Sequence, residues 1–197
     1  MNSSEHFLGR LYRAALAAVD PRLVTAAGLR ERAVAKPLRE ARRVGVFAVG
    51  KAAAGMFEAA AAPGRKGLVI LPRGYPAPPS RPGATVLFSA HPEPDASSVA
   101  AARAAVRFFS GFGPEDVVLC LVSGGSSSLL CLPRPGVTLA RKKHAVARLV
   151  RAGSAIDAVN RLRTSLSSVK GGKLGRETEA RLVTLVLSDV EDRKSVV

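Results

Sequence analysis

Two glycines and four serines follow directly on a buried apolar run, and together they offer the chemical groups that bind an anion. Residues 117–122 are an unbroken apolar stretch, which is typical of a strand buried on both faces. The next residues, Ser123-Gly124-Gly125-Ser126-Ser127-Ser128, supply hydroxyl groups and backbone amides where a helix can begin. A helix N-terminus attracts negative charge. The pattern indicates an anion-binding corner, while an ordinary strand-to-helix turn with a serine cap explains the same residues.

Four further groups could take part in the chemistry of such a corner. Lys51 follows a predicted strand at a helix start, where the dipole repels a cation, so an anionic ligand explains it better than stability does. The alternative is a stem that carries its ammonium to solvent. Lys170-Gly171-Gly172-Lys173 combines two cations with flexible amides, which suits phosphate or carboxylate. Asp189 could be a magnesium ligand, a general base or a helix cap. His91 is better explained as a loop histidine than as a catalytic base.

Three familiar motifs are absent from the chain. It has neither the phosphate-binding loop G-x-x-x-x-G-K-[ST], nor the dinucleotide motif G-x-G-x-x-G, nor the nucleophile elbow G-x-S-x-G. Gly50-Lys51-Ala52 is too short for the first, and Ser126 is followed by two serines rather than completing the third. The residues alone therefore indicate an α/β protein that binds a small anion, with a phosphoryl donor as one candidate.

The candidate residues must be positioned by strands and helices that alternate along the chain. The predicted strands cover residues 44–49, 67–71, 84–90, 117–122 and 182–187, and the predicted helices cover 4–19, 22–29, an alanine-rich segment ending near 62, 96–109, 138–153 and 156–163. This alternation is typical of an α/β layered fold with a mainly parallel sheet. Since ligands bind at the carboxyl ends of such strands, Lys51, His91, the turn at 123–128 and Asp189 are expected on one rim.

The composition is that of a globular core with a strong basic excess. Of the 197 residues, 47% are hydrophobic and 23% charged, and the net charge is +15 with a pI near 11.1. Lysine and arginine are spread along the chain without aromatic interleaving, so we expect no nucleic-acid partner. Cys120 and Cys131 fit neither a disulfide framework nor a zinc pattern. No signal peptide or membrane-spanning run is evident, so we expect a cytoplasmic protein with no membrane partner.

Seven segments occur in the order in which one enzyme family has them. They are 11–21 (LYRAALAAVDP), 46–56 (VFAVGKAAAGM), 91–95 (HPEPD), 122–130 (VSGGSSSLL), 152–160 (AGSAIDAVN), 163–174 (RTSLSSVKGGKL) and 185–190 (LVLSDV). These segments resemble the type II glycerate kinases, the glycerate 2-kinase family whose members often carry a MOFRL domain. The resemblance implies ATP- and Mg²⁺-dependent phosphorylation of D-glycerate to 2-phosphoglycerate. It also implies a Rossmann-like, three-layer α/β domain whose active site faces a second domain.

The resemblance assigns expected roles to individual residues. Lys51 would stabilise charge on the transferring phosphate, Asp189 would hold a metal ion or act as the base, and Arg163 would grip the glycerate carboxylate. The remaining matches, which would bind substrate or phosphate, are Ser123, Gly124, Gly125, Ser126, Asn160 and Lys170. Ser126 stands where the family has a third glycine, and Thr164-Ser165 replaces a Lys-His pair. Both departures bear on substrate affinity.

The last residues depart from the family pattern. After residue 190 the family continues through further motifs, whereas residues 191–197 read EDRKSVV. We expect residues 1–190 to be an incomplete amino-terminal domain, truncated before the second domain, and 191–197 to be a non-native tail encoded by sequencing-adapter sequence. Little or no kinase activity is then expected from the 197 residues alone. Two other functions stay open: a dehydrogenase acting on hydroxypyruvate and a basic nucleic-acid-binding module.

Overall fold

The described part of the chain in the computed structural model is residues 3–188, with side chains from His6 onward. Asp189 and the segment 191–197 lie outside the described residues, so the predictions made for them stay predictions. The division of the chain at residue 190 likewise stays a prediction.

The strands of the described residues are all parallel and form one sheet in the order β3-β2-β1-β4-β5. They are β1 (Val44–Val49), β2 (Lys66–Pro72), β3 (Ala84–Ser89), β4 (Val117–Ser123) and β5 (Arg181–Leu187). The central strand is β1, in which Val49 aligns with Ile70 of β2 on one side and with Val122 of β4 on the other. The predicted α/β fold with a parallel sheet is confirmed.

Helices pack on both faces of this sheet. In residues 3–188 they are α1 (Ser3–Ala18), α2 (Pro21–Arg30), α3 (Arg32–Glu40), α4 (Ala53–Ala60), α5 (Ala96–Phe109), α6 (Ser126–Leu129), α7 (Leu139–Arg151) and α8 (Ile156–Ser165), with a 3₁₀ helix at Leu174–Glu177. Asp95 caps α5 and Thr138 caps α7, at the starts that the sequence predicts. The sequence pattern does not predict α3, because it is strongly charged and contains Pro37.

Two hydrophobic clusters fill the space between the sheet and its helices. On one face Phe47 of β1 packs with Phe109 of α5, and on the other Val46 packs in a cluster with Met56 of α4. Successive residues of β1 are therefore buried on opposite faces, which explains its unbroken apolar sequence. β2 and β3 are added on one side of β1, and β4 and β5 on the other. The strand order therefore reverses at β1. The carboxyl ends of β1 and β4 form the position where such folds bind ligands.

The predicted first helix is present as α1, and its large apolar side chains remain at the surface. Phe7, Leu8, Leu11 and Leu16 are each more than half exposed, so the described residues bury little of these side chains. None of the helices between residues 3 and 188 is long and apolar enough to cross a membrane.

A buried carboxylate, Asp116, holds the amino end of β4. Arg43 donates to it from Nε at 3.1 Å and also from Nη2, and the Gly113 amide donates at 2.9 Å. These hydrogen bonds, that of Arg43 above all, lower the pKa of Asp116 to about 2. Because this pKa lies below the ordinary value of 3.8, the stabilisation is present above about pH 4 and is lost as the pH falls toward 2.

We expect Asp116→Asn to lower the thermal unfolding midpoint at pH 7 and to flatten its fall between pH 4 and pH 2, because the substitution removes the titrating charge. Circular dichroism melts across this pH range provide the measurement. Glu115→Gln is the matched control, since exposed Glu115 pairs with exposed Arg42 at 3.6 Å. A pH profile of Asp116→Asn identical to that of the wild type would contradict the assignment.

Candidate active site

The carboxyl ends of the neighbouring strands β1 and β4 are joined by backbone and side-chain hydrogen bonds. The Lys51 amide donates to the Gly124 carbonyl at 2.9 Å, and the Ala52 amide donates to Ser123 Oγ at 3.1 Å. Gly50 has a φ of +124°, and a Cβ there would lie 2.5 Å from the Ser123 carbonyl oxygen. Only glycine allows this approach. The predicted residues that follow these two strands therefore lie together.

The hydroxyl groups of Ser123 and Ser126 hold the turn together. Ser126 Oγ donates to the Val49 carbonyl at 3.0 Å and also to the Ser123 carbonyl. Ser123 Oγ, besides accepting from Ala52, donates to the Val49 carbonyl at 3.4 Å. The predicted helix start after Gly125 is present, but α6 has only four residues, so its dipole contributes little. The two hydroxyl groups therefore shape the turn, and the prediction that Ser123 and Ser126 bind substrate or phosphate stays a prediction.

Gly125 is the point of the turn that approaches two other predicted residues. Its φ is +90°, and a Cβ there would lie 3.1 Å from His91 Nε2 and 3.5 Å from Lys51 Cγ. The loop that carries His91 is anchored by Asp95, which caps α5 and pairs with Arg73 at 2.9 Å. The structure thus brings an exposed lysine, a histidine and a glycine backbone to one place.

A cleft of about 840 Å³ opens beside this turn, with α7 and Arg163 of α8 in its lining. The basic and histidine side chains that line it are His91, Lys142, Lys143, His144, Arg151, Arg163 and Lys170. Glu93 is the one carboxylate in the described lining, and it pairs with Lys143 at 3.2 Å. The cleft therefore carries unneutralised positive charge and suits an anionic ligand.

The two lysines of the Lys-Gly-Gly-Lys segment do different work. Lys170 Nζ donates to the Ser127 carbonyl at 2.6 Å and to Ser127 Oγ at 2.8 Å, which places it in the cleft. Lys173 Nζ instead donates to the Thr164 carbonyl at 3.0 Å and the Ser167 carbonyl at 2.7 Å, near the end of α8. The glycines between them have φ values of +64° and +74°. Of the two predicted phosphate-binding cations, Lys170 alone reaches the cleft.

The other predicted site residues lie at different positions around the cleft. Arg163 and Gly125 line it, and Lys51 lies beside Gly125 at its edge. Asn160 is exposed, and its Oδ1 accepts from Arg163 Nη1 at 3.4 Å. Asn160 can therefore orient the guanidinium of Arg163.

Lys142 is a cleft residue that the sequence reasoning missed. Its side chain is 4% exposed, and its Nζ has no hydrogen-bond partner among the described residues. A signal for it exists, because Lys142 lies three residues after Leu139 and four before Val146, within the apolar stripe of α7. Ser127 and Ser128, which line the cleft beside Gly125, were overlooked as individual ligand groups.

Comparison with known families identifies the domain that builds this cleft. A family model described as "Domain of unknown function (DUF4147)" matches residues 7–197, nearly the whole chain. The chain belongs to the DUF4147 family. The predicted membership in the glycerate 2-kinase family, of which DUF4147 is the amino-terminal domain, is confirmed by glycerate kinases among the relatives and structural neighbours of this DUF4147 domain.

The relatives of this DUF4147 domain are longer proteins. A protein of Agrobacterium vitis named "Putative hydroxypyruvate reductase" is 37% identical over 193 residues, which cover 95% of this chain and 42% of the relative. The D-glycerate 2-kinase of Thermotoga maritima is 37% identical over 161 residues, or 79% of this chain and 38% of the relative. A crystal structure of glycerate kinase from Thermotoga maritima matches with a TM-score of 0.74 at 33% identity, covering 91% of this chain and 45% of that chain. The chain spans less than half the length of these relatives.

The described part of the DUF4147 domain offers no ready magnesium site. Between residues 3 and 188, no three or more side chains of histidine, cysteine, aspartate or glutamate converge as metal ligands would. The predicted ligand Asp189 lies outside the described residues.

Because the pKa of Lys170 is lowered, the stability of the DUF4147 domain varies with pH in the alkaline range. Burial above all, with repulsion from Lys142 and Arg163, lowers this pKa from 10.5 to about 8. Between these values the unfolded chain binds more protons than the folded one, so the free energy of unfolding rises with pH.

We expect Lys170→Met to flatten this alkaline rise in the free energy of unfolding, because it removes the group that titrates early. Urea unfolding followed by circular dichroism between pH 7 and pH 10 is the measurement. Lys36→Met is the control, since the side chain of Lys36 on α3 is 58% exposed. A rise that survives Lys170→Met unchanged would show that another group causes it.

Proposed function

We propose that this DUF4147 domain is part of an enzyme that transfers the γ-phosphoryl group of ATP to D-glycerate, giving 2-phosphoglycerate and ADP. The observation that carries the proposal is the basic cleft beside the glycine-serine turn. Phosphoryl transfer depends mainly on positioning and charge neutralisation, and both reactants are anions. Relatives named as glycerate kinases support D-glycerate as the acceptor.

The cleft residues can divide between the two anionic reactants. Lys51 is exposed beside Gly125, where its ammonium can approach a bulky triphosphate. The absence of a Cβ at Gly125 lets phosphate oxygens come close to the backbone. Arg163 and Lys170, which line the cleft, are suited to the glycerate carboxylate. Asn160 would orient Arg163 in this arrangement.

In the proposed reaction the 2-hydroxyl oxygen of glycerate attacks the γ-phosphorus in line with the leaving oxygen. The bond between the γ-phosphorus and the β,γ-bridging oxygen breaks, ADP leaves, and the hydroxyl proton passes to a base. Asp189, beyond the described residues, is our candidate for that base or for a Mg²⁺ ligand. Lys51 stabilises the negative charge of the transferring group.

The name of the Agrobacterium vitis relative raises a second function, the reduction of hydroxypyruvate. A dinucleotide-binding enzyme of this topology holds the pyrophosphate on the amides after its first strand. In this chain the Lys51 and Ala52 amides already donate to Gly124 and Ser123. This observation favours the kinase over the dehydrogenase.

The test is an assay of phosphoryl transfer with ATP, Mg²⁺ and D-glycerate, in which added enolase converts 2-phosphoglycerate to phosphoenolpyruvate. Since the relatives are more than twice as long, we would assay two proteins. One is the 197-residue chain, which tests the expectation of little or no activity on its own. The other is a chimera in which residues 7–188 replace the matching segment of the Thermotoga maritima D-glycerate 2-kinase.

We expect the folded chimera to form 2-phosphoglycerate. Absence of product would contradict the proposal, and so would a product that enolase accepts only after phosphoglycerate mutase is added. Oxidation of NADH by hydroxypyruvate in place of phosphoryl transfer would support the dehydrogenase instead.

A further inference from the structure

Lys142 is a buried cation that the proposed reaction has not used. Its side chain is 4% exposed, yet its Nζ lacks a hydrogen-bond partner among the described residues. An unpaired ammonium in such a place is costly. Because Lys142 lines the basic cleft, a ligand in that cleft can supply the missing partner.

Two further cations lie close to Lys142 in the cleft. Lys170 and Arg163 interact electrostatically with it, and Lys173 and the Cys131 thiol also face it. Among residues 3–188 no carboxylate forms an ion pair with Lys142, Lys170, Arg163 or Lys173. Glu93, the carboxylate in the described cleft lining, pairs with Lys143. Burial above all lowers the pKa of Lys142 and of Lys170; the Cys131 thiol opposes this shift in part, and the neighbouring cations lower both pKa values further. A bound anion would relieve both the burial cost and the repulsion.

We propose that Lys142, Lys170 and Arg163 form a subsite for one oxyanion, the carboxylate of D-glycerate, with the buried Lys142 Nζ as its innermost donor. The naming of the acid rests on the proposed function, whereas the anion subsite rests on the geometry of the cleft. The guanidinium of Arg163 offers a fork of donors that matches a planar carboxylate, and the two ammonium groups add point charges.

The position of Lys51 supports a carboxylate rather than a nucleotide phosphate in this subsite. Lys51 lies against Gly125 and is exposed, so it can meet a large, solvent-accessible triphosphate. Lys170 contacts Ser127, two residues further along the turn, and Lys142 of the same cleft lining is buried. The buried side of the cleft therefore suits a small acid.

The subsite predicts opposite effects of Lys142→Met on binding and on stability. Methionine keeps a similar length and removes the buried charge, so the thermal unfolding midpoint rises. The same substitution removes a charged donor, so D-glycerate binds at least about tenfold more weakly. If Lys142 had a merely structural role, its substitution would lower the thermal unfolding midpoint.

The measurement is isothermal titration of D-glycerate into the 197-residue chain at pH 8, in HEPES and in Tris. The difference between the buffers gives the proton uptake on binding, which we expect from Lys170 because its lowered pKa of about 8 leaves part of it unprotonated at pH 8. Lys170→Met is the second variant, and it should weaken binding and abolish this uptake. Arg141→Met, an exposed neighbour on α7 outside the cleft lining, should change neither affinity nor midpoint. Glycerol, the neutral analogue, should not bind.

Unchanged affinity in Lys142→Met, or an affinity and a midpoint that fall together, would overturn the subsite. Orthophosphate binding more tightly than D-glycerate, with the same dependence on Lys142, would overturn its assignment to a carboxylate. The chimera separates this proposal from the kinase proposal. Phosphoryl transfer with an unchanged KM for D-glycerate in Lys142→Met refutes the subsite alone, whereas Lys142-dependent binding without phosphoryl transfer refutes the kinase and supports the subsite.

Discussion

Replacing Gly50 with alanine is expected to lower the free energy of unfolding by about 2–6 kcal/mol, through backbone strain and a steric clash. Gly50 has a φ of +124°, and the added Cβ would clash with Ser123 Oγ and lie 2.5 Å from the Ser123 carbonyl oxygen. The clash is with the backbone of β4, so the ends of β1 and β4 must separate. Urea unfolding followed by circular dichroism measures the loss.

Gly74→Ala is the matched control for this prediction. Gly74 also has a positive φ, +83°, but a Cβ there would meet nothing within 4 Å. It should therefore cost only the backbone strain, about 1–2 kcal/mol. Equal losses of unfolding free energy in the two variants would show that the approach of β1 to β4 does not require a glycine at position 50. A larger loss for Gly50→Ala, together with weaker D-glycerate binding, would tie this approach to the site.

Replacing Lys51 with methionine is expected to lower the kcat of the chimera for phosphoryl transfer about 10²–10³-fold. Lys51 lies against Gly125 at the edge of the basic cleft, and its ammonium is the charge that we place on the transferring group. Because this charge develops in the transition state, kcat should fall more than the KM for D-glycerate changes. Initial rates over a range of ATP and D-glycerate concentrations measure both.

Lys66→Met is the matched control for Lys51→Met. Lys66 is an exposed lysine that begins β2, so it lies at the edge of the sheet opposite to the cleft. It should leave both kinetic constants unchanged. A kcat for Lys51→Met within about threefold of the parent chimera would remove Lys51 from the proposed transition state.

The elements that were predicted well have strong local signals. Residues 96–109 were predicted as a helix, and α5 spans Ala96–Phe109 because Asp95 caps it. The apolar run of β4 was equally clear. α3 was missed because charges and Pro37 obscure its few apolar positions, although Val34 and Pro37 are buried. Its helical state depends on tertiary packing, which local sequence does not show.

The candidate site was predicted by position more than by role. The sequence indicated that Lys51 and the turn after β4 would share one rim, and the structure joins them through the Lys51 amide and Gly124. The sequence did not indicate which hydroxyl groups would form hydrogen bonds within the fold. Ser123 and Ser126 bond to groups from β1 and the turn after it, whereas Lys170 contacts Ser127 instead.

By itself, the sequence determined the order of strands and helices, the parallel sheet, the glycine-serine turn and the family to which the chain belongs. These features follow from local patterns of apolar residues, glycine and caps. Only the tertiary structure decided that the cleft is basic and that Lys142 is buried in it with no hydrogen-bond partner for its Nζ among residues 3–188. The contacts that set the site join residues as distant as Ala52 and Ser123, 71 positions apart. Such pairs are specified by the packing of whole elements, and no local stretch of sequence carries them.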